Sequence, residues 1–412
     1  MSIVRLRHLA EVNPSSPAFD RLGDGDELTF LPMESVWPGS KLDISRRRPK
    51  SAVATGYTRF QDGDVLIPKI TPTFEAGRAV LIHGLLGGVG AGTTELHVVR
   101  PGVGIDPRFL LYVVNTHSFL KLGEAEMYGV AGQQRVPDSF LRDLPVSLPS
   151  LEEQRRIAGF LDVETARIDK MAARRERQLS LLEARRNVAI GELFRAFHAS
   201  PTRLKFLLRA RPRYGVLVPK FEAGGVKFVR VNDLLDLPGR IPGLATIAPE
   251  LSAQYPTTII REGDLLVSVV GTLGRAAVAP RSLVGANVNR AIAVLRTRDD
   301  VDVELLASWI NAAEFQEQAL LATGNDSAQR TLGMEDMANF SLRWPAEPAV
   351  QGKLSREVRR CIQLHGELVS SLRRQGVVLD ERRQALITAA VTGQFDVSTA
   401  SGRNVTDGVP TP

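Results

Sequence analysis

Four clusters of cationic and amide side chains are the residues best suited to bind a ligand. Arg46, Arg47 and Arg48, followed by Lys50, form the densest basic run. Gln133, Gln134 and Arg135 follow Gly132; Lys205, Arg209, Arg211 and Arg213 lead up to Tyr214; Gln329 and Arg330 follow a polar stretch at 323–327. Guanidinium and carboxamide groups make paired hydrogen bonds to base edges, and any cation can hold a phosphate. These clusters are therefore candidates for contacting double-stranded DNA. A basic run is as often only a solvated face, and the recurrence of a Gln-Arg pair in both halves also suits a shared structural loop.

Patterns for bond-breaking chemistry are not found. The glycine-rich run at 84–92 could cradle a phosphate, but residues 93–99 (TTELHVV) alternate like a strand where a dinucleotide fold needs a helix. The Asn/Asp-Pro-Pro-aromatic signature of DNA-amino methyltransferases, a P-loop and a convincing nuclease carboxylate-lysine cluster are all absent. His8, His83, His97, His117, His198 and His365 are scattered without metal-ligand spacing, and Cys361 is the single cysteine. The expectation is a non-catalytic protein with no metal and no cofactor of its own.

These residues must be carried on a scaffold that composition bounds. With 412 residues and 43% apolar content the chain can build two ordinary domains and more. Lys and Arg number 52 against 46 Asp and Glu, with a pI near 9.6, which favours a polyanionic partner. The opening MSIVRLRHLA has no signal-peptide pattern, and no apolar run reaches the ~18 residues of a membrane span. A cytoplasmic location without membrane association is expected.

An internal repeat organises the chain, at a shift of about 195 to 200 residues. Leu6 parallels Leu204, and Phe30-Leu31 parallels Phe228-Val229. Gly63-Asp64-Val65-Leu66 answers Gly263-Asp264-Leu265-Leu266, and Gly77-Arg78 answers Gly274-Arg275. Asn115 and Phe119 answer Asn311 and Phe315, and Gln134-Arg135 is aligned with Gln329-Arg330. Each half opens with short β-branched runs (64–70, 96–99, 265–270, 291–295) and one helix-like stretch (107–122, 303–321), the signature of a compact α/β domain.

Each half then changes, after a proline, into about 45 residues almost free of Gly and Pro, far longer than an average helix. Ser150 is placed to cap the first of these, with Glu152 and Glu153 set against the helix dipole. Seven-residue spacing follows in Ala158, Thr165, Ala172, Leu179, Arg186 and Leu193, and in Leu161, Ile168, Arg175, Leu182 and Ala189. Eight of these eleven are apolar, enough for a stripe that packs along a partner helix. The second stretch repeats this with Val358, His365, Leu372, Leu379 and Leu386, and with Cys361, Leu368, Gln375, Arg382 and Ala389. The expected architecture is two similar α/β (α+β) domains, 1–149 and 199–345, separated by long helices at 150–198 and 346–396. The helices form an antiparallel coiled coil, and a flexible tail occupies 397–412. Packing of each helix on its own domain is the alternative.

The segment Leu148-Pro149-Ser150-Leu151-Glu152-Glu153-Gln154-Arg155-Arg156-Ile157-Ala158 resembles the region that follows each target-recognition domain in specificity subunits of type I restriction-modification systems. Residues 383–393 (RQALITAAVTG) are similar to that family's closing signature, and 263–275 to a recurrent strand and turn. The resemblance implies two target-recognition domains that each read half of a bipartite DNA site. It also implies partners: two methyltransferase subunits, and restriction subunits. S-adenosylmethionine, ATP and Mg would be bound by those partners. Candidate subunit contacts are Glu152, Glu153, Gln154, Arg155, Arg185, Arg186, Arg382 and Arg383. The second repeat keeps only Gln351 of the Glu-Glu-Gln run. The rival reading is a coiled-coil scaffold that binds protein rather than DNA.

Overall fold

A computed structural model describes residues 2–36, 42–130, 132–196, 200–324 and 330–397. Contacts divide the chain into two units, 1–175 with 374–412, and 176–373. The first contains strands β1 (Ser2–Arg5), β2 (Ala10–Val12), β3 (Glu27–Leu31), β4 (Arg47–Pro49), β5 (Thr58–Gln61), β6 (Val65–Pro68), β7 (Val80–Leu81), β8 (Val89–Gly92), β9 (Leu96–Pro101) and β10 (Pro145–Leu148). They form a β2-β9-β6-β7 sheet, a β4-β3-β8-β5 sheet in which β3 and β8 run parallel, and a β1-β10 ribbon that ties the two ends of the domain. The glycine-rich run belongs to this packing. A Cβ on Gly92 would lie 2.4 Å from the Leu31 carbonyl oxygen, so the glycine permits close strand approach.

The second unit repeats the plan with β11 (Pro201–Arg203), β12 (Arg213–Tyr214), β13 (Phe221–Val229), β14 (Ala245–Ile247), β15 (Leu265–Ser268), β16 (Ala276–Val278), β17 (Asn287–Val288), β18 (Ile292–Leu295) and β19 (Ser341–Arg343). Its sheets are β12-β18-β15-β16 and β14-β13-β17, again with one parallel pair, β13 and β17, and β11 pairs β19 as β1 pairs β10. The central registers correspond: Leu66 faces Val98 and Leu266 faces Val294.

The repeated Gly-Asp turns explain themselves in this frame. Asp64, 1% exposed at its side chain, takes a forked ion pair from Arg100 at 2.8 and 2.9 Å; Asp264 takes the same from Arg296 at 3.0 and 3.2 Å. Each aspartate also accepts the backbone N–H three residues before it, from Gln61 or Arg261 at 2.9 Å. Removing one partner of such a buried pair costs about 3–5 kcal/mol.

The one helical stretch expected in each domain, 107–122 or 303–321, is split into two helices. Pro107–Val113 is followed by His117–Ala125, and Val303–Ile310 by Ala313–Thr323. The break falls at the repeated asparagine. Asn115 turns its amide back onto the Leu111 carbonyl (2.8 Å) and Asn311 onto Ala307 (2.9 Å), while the Thr116 hydroxyl caps the next helix at the Phe119 N–H.

The long helices span Leu151–Ala196 and Pro348–Thr392, and Ser150 caps the first through the Glu153 N–H at 3.2 Å. Within the first unit Asp169 meets Arg383 at 3.1 Å and Phe160 stacks near Phe395 at 5.6 Å, so the helix segments run antiparallel. Every member of the first helix's two predicted series is buried or half-buried. On the second helix the secondary series holds at Cys361, Arg382 and Ala389 and is displaced by one between them. Leu368 is 54% exposed and Gln375 is exposed, whereas Val369, Gly376 and Arg383 are half-buried. Both long helices contribute to the domain cores: Ile157, Ala158, Leu161, Leu386 and Ile387 in one, Ile190, Phe194, Leu354 and Val358 in the other. The antiparallel coil and the packing of helices on domains are therefore both present. Val397, assigned from sequence to the tail, is 8% exposed in the first core. No helix among the described residues is long and apolar enough to cross a membrane.

Candidate nucleic-acid interface

In the first unit Arg47 and Arg48 lie on β4, with Arg46 and Lys50 flanking it, and among the described residues β4 pairs with β3 alone, at one edge of its sheet. Its cations are held rather than loose. Arg46 pairs with Glu34 at 3.0 Å, and Arg47 donates to the Thr29 hydroxyl (2.8 Å) and the Ile44 carbonyl (2.7 Å). The Arg48 guanidinium lies 4.2 Å from the Phe30 ring centre, and Lys50 donates to the Asp20 and Leu22 carbonyls. All three arginines remain exposed, so positive charge faces solvent from a fixed surface.

The 132–135 loop closes against the residues that follow β6. The Gln134 carbonyl accepts from the Thr71 N–H (3.0 Å), and Arg135 forks onto Glu95 at 2.9 and 2.8 Å. Arg135 holds the Glu95 carboxyl below its ordinary range. Gln133 stands exposed at the loop, beside Tyr128 and Val130, which are also exposed.

In the second unit the corresponding backbone bonds run from Gly271 N–H to the Arg330 carbonyl (2.9 Å), with Val270 bridged to Thr331 where Ile70 is bridged to Arg135. Arg330 is thus the counterpart of Gln134, and Thr331 of Arg135. The alignment of Gln134-Arg135 with Gln329-Arg330 is one residue out of register. The repeat is preserved in the backbone pairing and not in the side chains. Gln329 lies outside the described residues.

Lys205 donates to Asn339 at 2.8 Å; Arg209 donates to the Thr297 carbonyl at 2.8 Å and pairs with Asp299. Arg211 and Arg213 are exposed, and their side chains make no hydrogen bond or ion pair to the described residues. Of the second unit's candidates they are the two most available to a phosphate.

Sequence reasoning missed a polar cleft of about 380 Å³ in the first unit, lined by Asn13, Ser15, Ser16, Tyr57, Arg59 and Lys69 among others. Asn13 adopts φ +53° and bridges two elements, accepting from Val98 N–H at 3.0 Å and approaching His97 Nδ1 at 3.2 Å. No signal could have joined these residues, which come from separate strands and turns.

The candidate subunit contacts fall into two groups. Glu152, Arg155 and Arg185 are exposed; Glu153 pairs with Arg156 at 2.8 Å, and Arg155 reaches to 3.9 Å of Asp106. Arg186 and Arg382 are half-buried, Arg186 reaching Asn187 at 3.3 Å, and Arg383 is engaged with Asp169. Gln154 is a correction. It is 1% exposed, its carbonyl accepts from Asp106 N–H (2.8 Å), and its amide donates to Gly104 (3.2 Å) and Pro149 (3.0 Å), all within its own unit. A residue so enclosed has no face for a partner. Exposed apolar side chains on the long helices, Val163, Leu181, Leu364, Val377 and Val378, supply surface that the sequence reading did not single out, and Leu368, read there as part of the packing stripe, joins them.

No family model matches the chain. It is 42% identical over 156 residues to the type I restriction enzyme EcoAI specificity subunit of Escherichia coli, and 39% identical over 160 residues to the EcoEI specificity subunit of the same organism. These stretches cover 37% and 38% of the chain, but only 26% of each relative's length. In fold it is similar to a solved chain described by the words "Structural basis underlying complex assembly and conformational transition of the type I R-M system". That likeness has a TM-score of 0.67 at 19% identity and covers 96% of this chain and 98% of the other.

Proposed function

We propose that this chain, a relative in sequence of type I restriction specificity subunits, reads a bipartite DNA target with its two repeated domains and has no catalytic activity of its own. The observation that carries the reading is the duplicated scaffold: the same strand registers, the same buried aspartate-arginine pair and the same parallel strand pair in two domains whose exposed polar residues differ. Two equal scaffolds with unequal surfaces suit two readers of unlike half-sites. Linking them multiplies two modest interactions, provided the separation is right. The long helices are suited to set that separation, since 46 residues of helix extend about 69 Å at ~1.5 Å per residue.

Arg46, Arg47 and Arg48 in the first domain, and Arg211 and Arg213 in the second, are the cations assigned to phosphates; Gln133 is the amide assigned to a base edge. The exposed apolar residues of the helices are assigned to methyltransferase subunits, which would bring S-adenosylmethionine for adenine methylation. Restriction subunits would bring ATP and Mg for cleavage.

The experiment that separates this from a protein-binding scaffold is the salt dependence of duplex binding. Phosphate contacts release counterions, so log affinity falls with log salt at about 0.9 per contact. A slope of several units is expected, and each of Arg211→Ala and Arg213→Ala should lower it by about one. Duplex binding with no slope, or none at low salt, would favour the scaffold.

A further inference from the structure

We infer that Gln154 and Gln351 are positioning residues that fix the angle at which each reading domain leaves its long helix, and so restrict the spacer that the protein accepts. This inference rests on the proposed DNA-reading function. Each glutamine lies in the first turn of a long helix and is nearly sealed from solvent, at 1% and 3% exposure. Each closes on the same place, the loop before the domain's first helix after the central sheet. Gln154 accepts from Asp106 N–H at 2.8 Å and donates to Gly104; Gln351 accepts from Asp302 N–H at 2.9 Å and donates to the Asp300 carbonyl at 2.9 Å. The two aspartates then cap the helices that follow, Asp106 at Arg108 and Phe109 N–H, Asp302 at Glu304 and Leu305 N–H.

The glutamine is what the two helix starts share. Glu152 and Glu153 have Ala349 and Val350 as counterparts, and Arg155 has Gly352. Apolar packing alone joins helix to domain over a broad area but resists small rotations weakly, because dispersion and burial are nearly non-directional. A carboxamide bonded at both ends is directional, and a slip of the helix by a fraction of a turn would leave buried donors and acceptors unpaired. With the chain link at Pro149, which the Gln154 amide also bonds at 3.0 Å, the lock gives the first domain a second fixed point. A small angle at the helix start is magnified at the DNA-facing surface, where it appears as a change in half-site separation.

The test uses the whole protein assembled with its methyltransferase and selects from duplexes that carry the two half-sites with the spacer shortened or lengthened by one base pair. Gln154→Ala and, independently, Gln351→Ala should leave the half-site bases unchanged and cut the penalty for a one-base-pair spacer change by about tenfold. Val267→Ala, buried inside the second domain's sheet, controls for general loss of stability and should not broaden the spacer. If one glutamine variant fails to fold, the other carries the test. A folded glutamine variant that keeps the parent's spacer penalty, or broadening by Val267→Ala to the same degree, overturns the inference. Absence of any motif with the unaltered assembly instead overturns the DNA-reading proposal on which it rests.

Discussion

His97 shows how a single residue couples one domain to pH. The ring is 5% exposed; Nε2 lies 2.9 Å from the Val136 carbonyl and Nδ1 3.2 Å from the Asn13 amide. A neutral ring with the proton on Nε2 satisfies both neighbours, donating to one and accepting from the other. Burial holds its pKa below the ordinary histidine value, and Lys69 acts in the same direction. In the unfolded chain the ring takes a proton near pH ~6.5, so below that pH the unfolded state binds a proton that the folded state resists. Stability contributed by this site is therefore complete above pH ~6.5 and declines as pH falls toward the depressed folded value. The counterpart in the second domain is Ala293, facing Val267 as His97 faces Ile67. Denaturant midpoints measured at pH 7.5 and 5.5 should fall in the native protein and change less in His97→Ala; equal falls in both would refute the coupling. Nothing in the sequence marked His97 among the six histidines, because its partners come from residues 13 and 136. The Gly-Asp turns were legible as a repeat, yet their arginine partners, 36 and 32 residues away, were not.

At the scale of elements, periodicity located the long helices and Ser150 the start of the first, since a stripe and a serine at the helix start are local signals. It failed where packing departs from strict heptads: on the second helix the half-buried positions step from His365 to Val369 and from Leu372 to Gly376, four residues and not three. Near 3.6 residues per turn, spacings of three and four are interchangeable in sequence, and only the partner helix selects between them. Leu386→Ala, at 1% exposure, should cost about 2–5 kcal/mol, whereas Leu368→Ala, at 54% exposure, should stay within about 0.5 kcal/mol. Urea unfolding of the two variants checks this. A large loss at Leu368 in the isolated protein would restore the strict heptad. Loss at Leu368 of methyltransferase binding alone would instead fit its proposed place on a partner surface.

For the whole molecule, the internal repeat was the most informative feature of the sequence, because a collinear series of weak matches constrains the fold more than any motif. Side-chain matching found the repeat but slipped at Gln134 and Gln329, where the backbone bonds of Thr71 and Gly271 show the true counterpart to be Arg330. Surface residues on a repeated scaffold diverge while main-chain pairing is kept. The same divergence would hide the residues of the proposed DNA-reading surfaces, since side chains that read different half-sites have no reason to match. The segments read from sequence also treat each long helix as separate, whereas contacts divide both helices between the two units near Arg175 and Arg374. A long helix has little core of its own and takes its stability from whatever packs against it. The proposed role of this chain is to supply DNA sequence specificity to a methyltransferase. Methylation-sensitive sequencing of genomic DNA from cells that carry the partner methyltransferase, with and without this chain, tests it most directly. Modified adenines are expected in a two-part motif with a fixed gap, present only when the chain is present. Modification that is identical in the two cultures, or a motif that persists without the chain, would contradict it.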